Sequence, residues 1–276
     1  MIQACRKASA LNKQKINTER TVFILSENKN VSFENGVAEL TLFIEPDTCD
    51  MTATWRPSAA LTAMQLATHY AREALGIDWG TLAEKGGLWV VSRVNVKFWR
   101  MPRMGEKITL RAVALPPLKA LYPWHFSFVD RNGVVVGEGS TLWNLMDANT
   151  RRILILPEIN EKIKSAGQPA RSSSLPSAAQ ELETPARTHT LTPLYTDLDI
   201  NGHTSHLRYI DWCCNSMGPG LMGKYCIMEY RISYMQEVRA GQTVDTQLRL
   251  DGMNFSFAGS IDGSPAFVVD GRLAGR

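Results

Sequence analysis

Apolar residues recur at three- and four-residue steps through "PSAALTAMQLATHYAREALG" (57–76), placing Leu61, Met64 and Ala67 on one side of a helix. Pro57 and Ser58 suit its first turn, and Gly76 suits its end. The pattern then becomes strand-like. "LWVVSRVNVKFW" (88–99) is rich in valine and aromatic residues, and further runs follow at 106–115, 121–130 and 133–147. Asp130-Arg131-Asn132-Gly133 is a hairpin turn signal between the last two. The same order then returns. "SHLRYIDWCCNSM" (205–217) has helical spacing and ends near Gly218-Pro219. Strand patterns cover 225–238, 241–250, 254–261 and 265–273, with Asp262-Gly263 as the last turn.

The two halves match residue by residue. "NVKFWRMPRMGEKI" (95–108) lies over "RISYMQEVRAGQTV" (231–244) at a constant offset of 136, with Phe98 on Tyr234, Arg103 on Arg239 and Gly105 on Gly241. A doubled unit predicts a fused dimer. The expected fold is α+β, a tandem (double) hotdog, each unit a long helix wrapped by an antiparallel sheet. The expected divisions are an N-terminal extension (1–35), a first unit (36–157), a Ser-, Ala- and Pro-rich linker (158–187) and a second unit (188–276).

Charge and composition narrow the function. A net charge of +3 is too mild to argue for nucleic acid and fits an acidic partner. No run approaches the roughly 18 apolar residues of a membrane span. Five cysteines at irregular spacing (Cys5, Cys49, Cys213, Cys214, Cys226) read as reduced thiols, the last three as packing residues. No metal-ligand spacing is present, and no cofactor is expected. Residues 1–18 carry Arg6, Lys7, Lys13 and Lys15 and no acid. A transit peptide is conceivable there, but the stretch is short and poor in serine, and a weakly ordered start is expected.

The chemistry gathers in "DLDINGHTSHLRYIDW" (197–212), where Asp199, Asn201 and His203 alternate. In extended chain, residues two apart point the same way, so the three can converge. A helix expected to open near Thr204 would offer free amides to a developing negative charge. The repeat supplies a fourth member. Where the first copy has Met101, the second has Glu237. One copy keeps polar chemistry and the other an apolar surface, which suggests a catalytic half and a binding half.

With "ISYMQEVRAGQ", "LWVVSRVNVKFWRMPRMGEKI" and "STLWNLMDANTRRILILP", this motif resembles the acyl-acyl carrier protein (acyl-ACP) thioesterases of plant plastids and their bacterial relatives, over roughly residues 38–273. The resemblance implies a double-hotdog enzyme that hydrolyses the thioester of fatty acyl-ACP. It puts the catalytic residues on Asp199, Asn201, His203 and Glu237. Glu237 and His203 would activate water, Asn201 and helix N-terminal amides would hold the carbonyl, and Asp199 would orient. A covalent acyl-glutamate is the alternative mechanism. Val238 stands where plant members have a cysteine. Ser205 and His206 stand where the family has an asparagine, and His206 reads as a surface or structural histidine.

Met64, Trp89, Arg93 and Trp143 are the candidate substrate-binding residues of the first unit. Arg93, Arg100, Arg103, Lys107, Arg151 and Arg152 are the basic residues that could meet an acidic carrier protein. The implied partner is acyl carrier protein with a phosphopantetheine-linked chain. The chain would act in the cytoplasm, or in a plastid if the source has one, as a monomer or homodimer. The rivals are a hotdog acyl-CoA thioesterase, a non-catalytic acyl-binding protein and a hydratase.

Overall fold

The computed structural model describes residues 30–166 and 175–276. Cys5 and the basic residues Arg6, Lys7, Lys13 and Lys15, on which the transit-peptide expectation rests, lie outside the described residues.

Strands β1 (Val31–Glu34), β2 (Val37–Phe43), β3 (Gly87–Phe98), β4 (Lys107–Ala114), β5 (Leu121–Asp130) and β6 (Val135–Asp147) belong to the first half. Strands β7 (Arg187–Leu191), β8 (Tyr225–Tyr234), β9 (Val244–Asp251), β10 (Asn254–Ile261) and β11 (Ser264–Gly275) belong to the second. All join one antiparallel sheet in the order β1-β2-β4-β5-β6-β3-β8-β11-β10-β9-β7. The order reads the same from either side of the β3–β8 seam, apart from the added β1. At that seam Asn95 pairs with Arg231. These are the two residues that the 136-residue offset superimposes, so the pseudo-twofold axis of the repeat passes through this pair.

Helix α1 (Pro57–Leu75) lies against the first half of the sheet and stops at Gly76, whose φ of 62° is the left-handed conformation a helix end needs. Its buried stripe includes Leu61, Met64, Ala67 and Ala71. Met64 packs directly on β6. A side chain added at Gly139 would stand 2.8 Å from the Met64 Cε, so glycine there lets the methionine seat against the strand backbone. A short helix α2 (Trp79–Glu84) precedes β3. The second half carries α4 (Arg208–Met217) and the single turn α5 (Pro219–Met222). Tyr209, Ile210, Trp212, Cys213 and Met217 form its buried face. Helices α1 and α4 touch across the seam, and the Tyr230 hydroxyl donates to the Pro57 carbonyl at 3.0 Å.

Several boundaries differ from expectation. β1 begins at Val31, inside the segment read as extension. Helix α3 (Pro157–Ser165) occupies the start of the expected linker, and its Ile159 and Ile163 are buried in the core. Residues 175–186 do cross the surface as irregular chain, tied to the outer face of the sheet. The amides of Ala179, Gln180 and Leu182 donate to Ser233 Oγ, Asp270 Oδ2 and Ser256 Oγ. β8 stops at Tyr234 rather than running to 238, matching the end of β3 at Phe98 one repeat earlier.

Candidate active site

The segment after β7 makes a single 3-10 turn at Tyr195–Asp197 and then a tight loop from Asp199 to His203. The loop is closed by Asp199 N–H donating to His203 O at 2.7 Å and Gly202 N–H donating to Asp199 O at 3.0 Å. Gly202 has a φ of 75°. Asp199 therefore does not point alongside Asn201 and His203 as it would in a strand. Its Oδ1 turns back to accept the amides of Asn201 (2.8 Å) and His203 (3.3 Å), an Asx-type closure that sets the loop's shape.

The loop is held from two sides. Asp197 accepts from the Leu194 amide and, at 3.3 Å, from the Trp212 indole on α4. Tyr234, at the end of β8, donates to His206 O at 2.9 Å, and Tyr209 stacks edge-on to both Trp212 and Tyr234. The aromatic spacing of "RYIDW" thus serves to pin the loop onto the sheet.

Glu237 arrives on the segment that follows β8. The Thr204 amide donates to Val238 O at 2.7 Å, and His203 and Arg239 form a short bridge. This brings Glu237 Oε2 to 3.5 Å from His203 Nε2, just beyond direct hydrogen-bond length. The other carboxylate oxygen accepts from Arg151 at 2.9 Å, and Arg239 stands 3.8 Å from Oε2. Arg151 belongs to the first half. It sits at a φ of 57° in the turn after β6, a turn shaped by Asp147, whose Oδ1 accepts the amides of Asn149 and Thr150. Those hydrogen bonds hold the Asp147 carboxyl below its usual range. Val238 is fully buried, so the position that would carry a cysteine faces the core while Glu237 stays half-exposed beside His203.

The helix contributes less than expected. It begins at Arg208, four residues beyond Thr204, because the amides before it are already used. Those of Asn201, Gly202 and His203 close the loop, and those of Thr204 and Ser205 bond Val238 O and Asp197 O. The Asn201 side chain is exposed and makes no hydrogen bond to any described residue.

The four first-unit candidates separate. Met64 is core, 1% exposed. Trp89 and Trp143 lie on the inner face of the sheet, and Trp143 stands edge-on to His206 at 5.9 Å. Arg93 is on the opposite face, donating to the Pro176 carbonyl of the crossing segment. Counting by twos from Trp89 through Val91 puts Arg93 inside. A bulge between Val91 and Arg93 resets the alternation and turns it out. Of the other basic residues, Arg100 is paired to Glu106 and Asp130, and only Arg151 touches the site.

His206 and the neighbouring thiols are tuned by burial. Enclosure by Trp143 and Tyr234 lowers the His206 imidazole to about 4, with Asp199 opposing and Arg72 adding to that shift. Burial also raises Cys213 well above its usual range and Cys214 to about 12, as inert packing thiols require.

Sequence reasoning missed a second copy of the loop. In the first half a 3-10 turn at Pro46–Thr48 leads into Asp50–Thr54, and each residue matches the one 149 positions later. Asp50 N–H donates to Thr54 O, Ala53 N–H to Asp50 O, and Asp50 Oδ1 accepts the amides of Thr52 (2.8 Å) and Thr54 (3.2 Å). Trp55 N–H donates to Pro102 O as Thr204 N–H does to Val238 O. Ala53 even holds a φ of 58°, where the second copy has Gly202.

A model of the acyl-ACP thioesterase N-terminal domain matches residues 41–163, and one of the C-terminal domain matches 180–264. The chain belongs to the acyl-ACP thioesterase family. Among characterised members it resembles a chloroplastic dodecanoyl-[acyl-carrier-protein] hydrolase of Cinnamomum camphora, 22% identical over 64% of this chain and 49% of that one. A chloroplastic palmitoyl-acyl carrier protein thioesterase of Arabidopsis thaliana is 24% identical over 68% and 49%. The chain spans about half the length of these relatives. Two solved structures share the fold: an acyl-ACP thioesterase from Bacteroides thetaiotaomicron (TM-score 0.78, 20% identity, 87% of this chain and 98% of that one) and the 12:0-ACP thioesterase of Umbellularia californica (TM-score 0.78, 19% identity, 87% and 98%). The tandem hotdog expected from the repeat is thereby met.

Proposed function

We propose that this protein hydrolyses the thioester of fatty acyl-ACP, releasing free fatty acid and ending chain elongation. The observation that carries the reading is the placement of Glu237 beside His203, where the loop and the segment after β8 are joined by the Thr204–Val238 hydrogen bond. A water held by the pair gives its proton to Glu237 or His203 and attacks the thioester carbon. The Asn201 carboxamide, free of other partners, donates to the carbonyl oxygen as charge develops there. Arg151 and Arg239 hold the Glu237 carboxylate in register. Asp199 shapes the loop rather than touching substrate. The second half (188–276) is the catalytic unit, and the first (36–157) receives the acyl chain along α1 and the inner face of the sheet.

The partner is acyl carrier protein, which is acidic; Arg151 and Arg239 at the mouth favour its approach. The fused pair supplies the hotdog dimer within one chain, so a monomer suffices. No described helix is long and apolar enough to cross a membrane. The four described cysteines are free thiols, in keeping with a reducing, cytoplasmic setting.

Thiol release from acyl-ACPs and acyl-CoAs of eight to eighteen carbons, with wild type and Glu237→Gln, tests this. Turnover of ACP substrates that collapses in the variant supports it. Faster turnover of CoA substrates replaces the carrier with CoA. Tight acyl-ACP binding without turnover would leave an acyl-binding protein.

A further inference from the structure

The interior of the first unit holds a cation with no counter-ion among the described residues. Arg72, near the end of α1, is 8% exposed. Its guanidinium carbon lies 4.3 Å from the centre of the Trp89 ring, 4.2 Å from that of Trp143 and 5.9 Å from that of Trp124. Its Nε and Nη2 donors are buried and have no hydrogen-bond partner. The indoles offer the guanidinium only π-faces, because an indole N–H is itself a donor; those of Trp89 and Trp143 donate to Ile77 O and Thr141 Oγ1. Tyr122, edge-on to Trp89 at 4.8 Å, buries a second unpartnered polar group, its hydroxyl. Burial lowers Arg72 to about 9, which still leaves it charged at neutral pH.

Such groups are costly to leave unfilled. A pocket for a plain alkyl chain has no use for them. Nε–H and Nη2–H lie along one edge of the guanidinium and point in parallel, the fork that receives paired oxygens. The position also fits a substrate route. Trp143 contacts both Arg72 and His206, and His206 follows the Asp199–His203 loop by three residues.

Building on the thioesterase reading, we infer that Arg72 is a specificity-determining residue whose Nε–Nη2 edge binds an oxygen carried by the acyl chain. The preferred substrate class is therefore an oxygen-bearing acyl thioester rather than a saturated one. A terminal carboxylate or a 3-oxo or 3-hydroxy group supplies that chemistry.

The test compares kcat/KM for ACP thioesters of saturated, 3-hydroxy, 3-oxo and ω-carboxy chains, at eight to sixteen carbons, in wild type and Arg72→Met. One oxygen-bearing series is expected to exceed its saturated counterparts at least tenfold. That ratio is expected to fall to about one in Arg72→Met, and the series affected identifies the oxygen. A wild-type preference for saturated chains, or a ratio unchanged in the variant, overturns the inference. Arg72→Gln serves if Arg72→Met does not fold, as read by thermal melting. If no thioester is hydrolysed at all, the thioesterase reading fails by itself. Arg72 is then read from melting temperature with free dicarboxylic, 3-oxo, 3-hydroxy and saturated acids. A shift specific to an oxygen-bearing acid and lost in the variant supports the site; its absence rejects it.

Discussion

The loops at Asp50–Thr54 and Asp199–His203 have the same backbone hydrogen bonds, the same left-handed position (Ala53 and Gly202) and the same link to the segment after the seam strand. Within the loops only the aspartate is the same residue, and three of the differences concern reactive groups: Thr52 stands where the second copy has Asn201, Thr54 where it has His203, and, outside the loop, Met101 where it has Glu237. What the copies share is architecture, and what they do not share is chemistry. Asp199 falls on the shared side. Its counterpart Asp50 makes the same two side-chain contacts in a loop with no imidazole, carboxamide or glutamate, which supports the shaping role proposed for Asp199.

The comparison breaks most sharply at the residues the first copy lacks. Glu237→Ala or His203→Ala should lower kcat about 1,000-fold, about 4 kcal/mol in the barrier, with melting temperature little changed. A stopped-flow or endpoint thiol assay reads this, and a loss under tenfold removes that residue from the chemistry.

A smaller effect distinguishes the surroundings of the active loop. His206 has no titratable counterpart, because the matching position is Pro57. Its imidazole titrates near 4 in the folded chain and near 6.5 unfolded. Folding thus favours the neutral form. The stability it contributes is complete above pH 6.5 and is lost as pH falls toward 4, up to about 3 kcal/mol. His206→Gln should flatten denaturation midpoints across pH 4–6.5; an unchanged slope would place the acid sensitivity elsewhere.

Removing the shared aspartates sharpens the comparison. Asp50→Ala and Asp199→Ala should each cost about 2 kcal/mol of stability by leaving loop amides unpaired. Only Asp199→Ala should also depress kcat. Equal losses of activity in both would mean that the loops act through global stability alone. The smallest change belongs to Arg151→Ala, about tenfold in kcat/KM through looser placement of Glu237, and Arg151→Lys should recover part of it.

The sequence showed the duplication, the helix and strand order, and the Asp-Asn-His motif, because hydrophobic periodicity, turn residues and close spacing are local signals. It hid the first loop for a simple reason. The repeat runs at an offset of 136 through the seam strands but 149 through the loops, because the longer α1 and the longer connection from it to β3 add residues between them in the first copy. One constant offset therefore finds the strands and loses "CDMTATW". Arg93 lies on the outer face because a single bulge inverts an alternation that looks unbroken in the sequence. The dependence of Glu237 on Arg151 joins residues 86 positions apart, and no spacing rule predicts it. Arg72 sat in plain helical pattern, and only tertiary packing reveals that no acid meets it.

The Asn95–Arg231 pair at the seam has an evolutionary consequence. In a symmetrical dimer of identical chains, any residue on the twofold axis faces itself, and every substitution arrives twice. A single gene encoding both halves removes that constraint. Asparagine can then face arginine across the axis. One loop can lose its reactive groups without the other losing them, and one half is free to change its interior while its twin conserves a reaction.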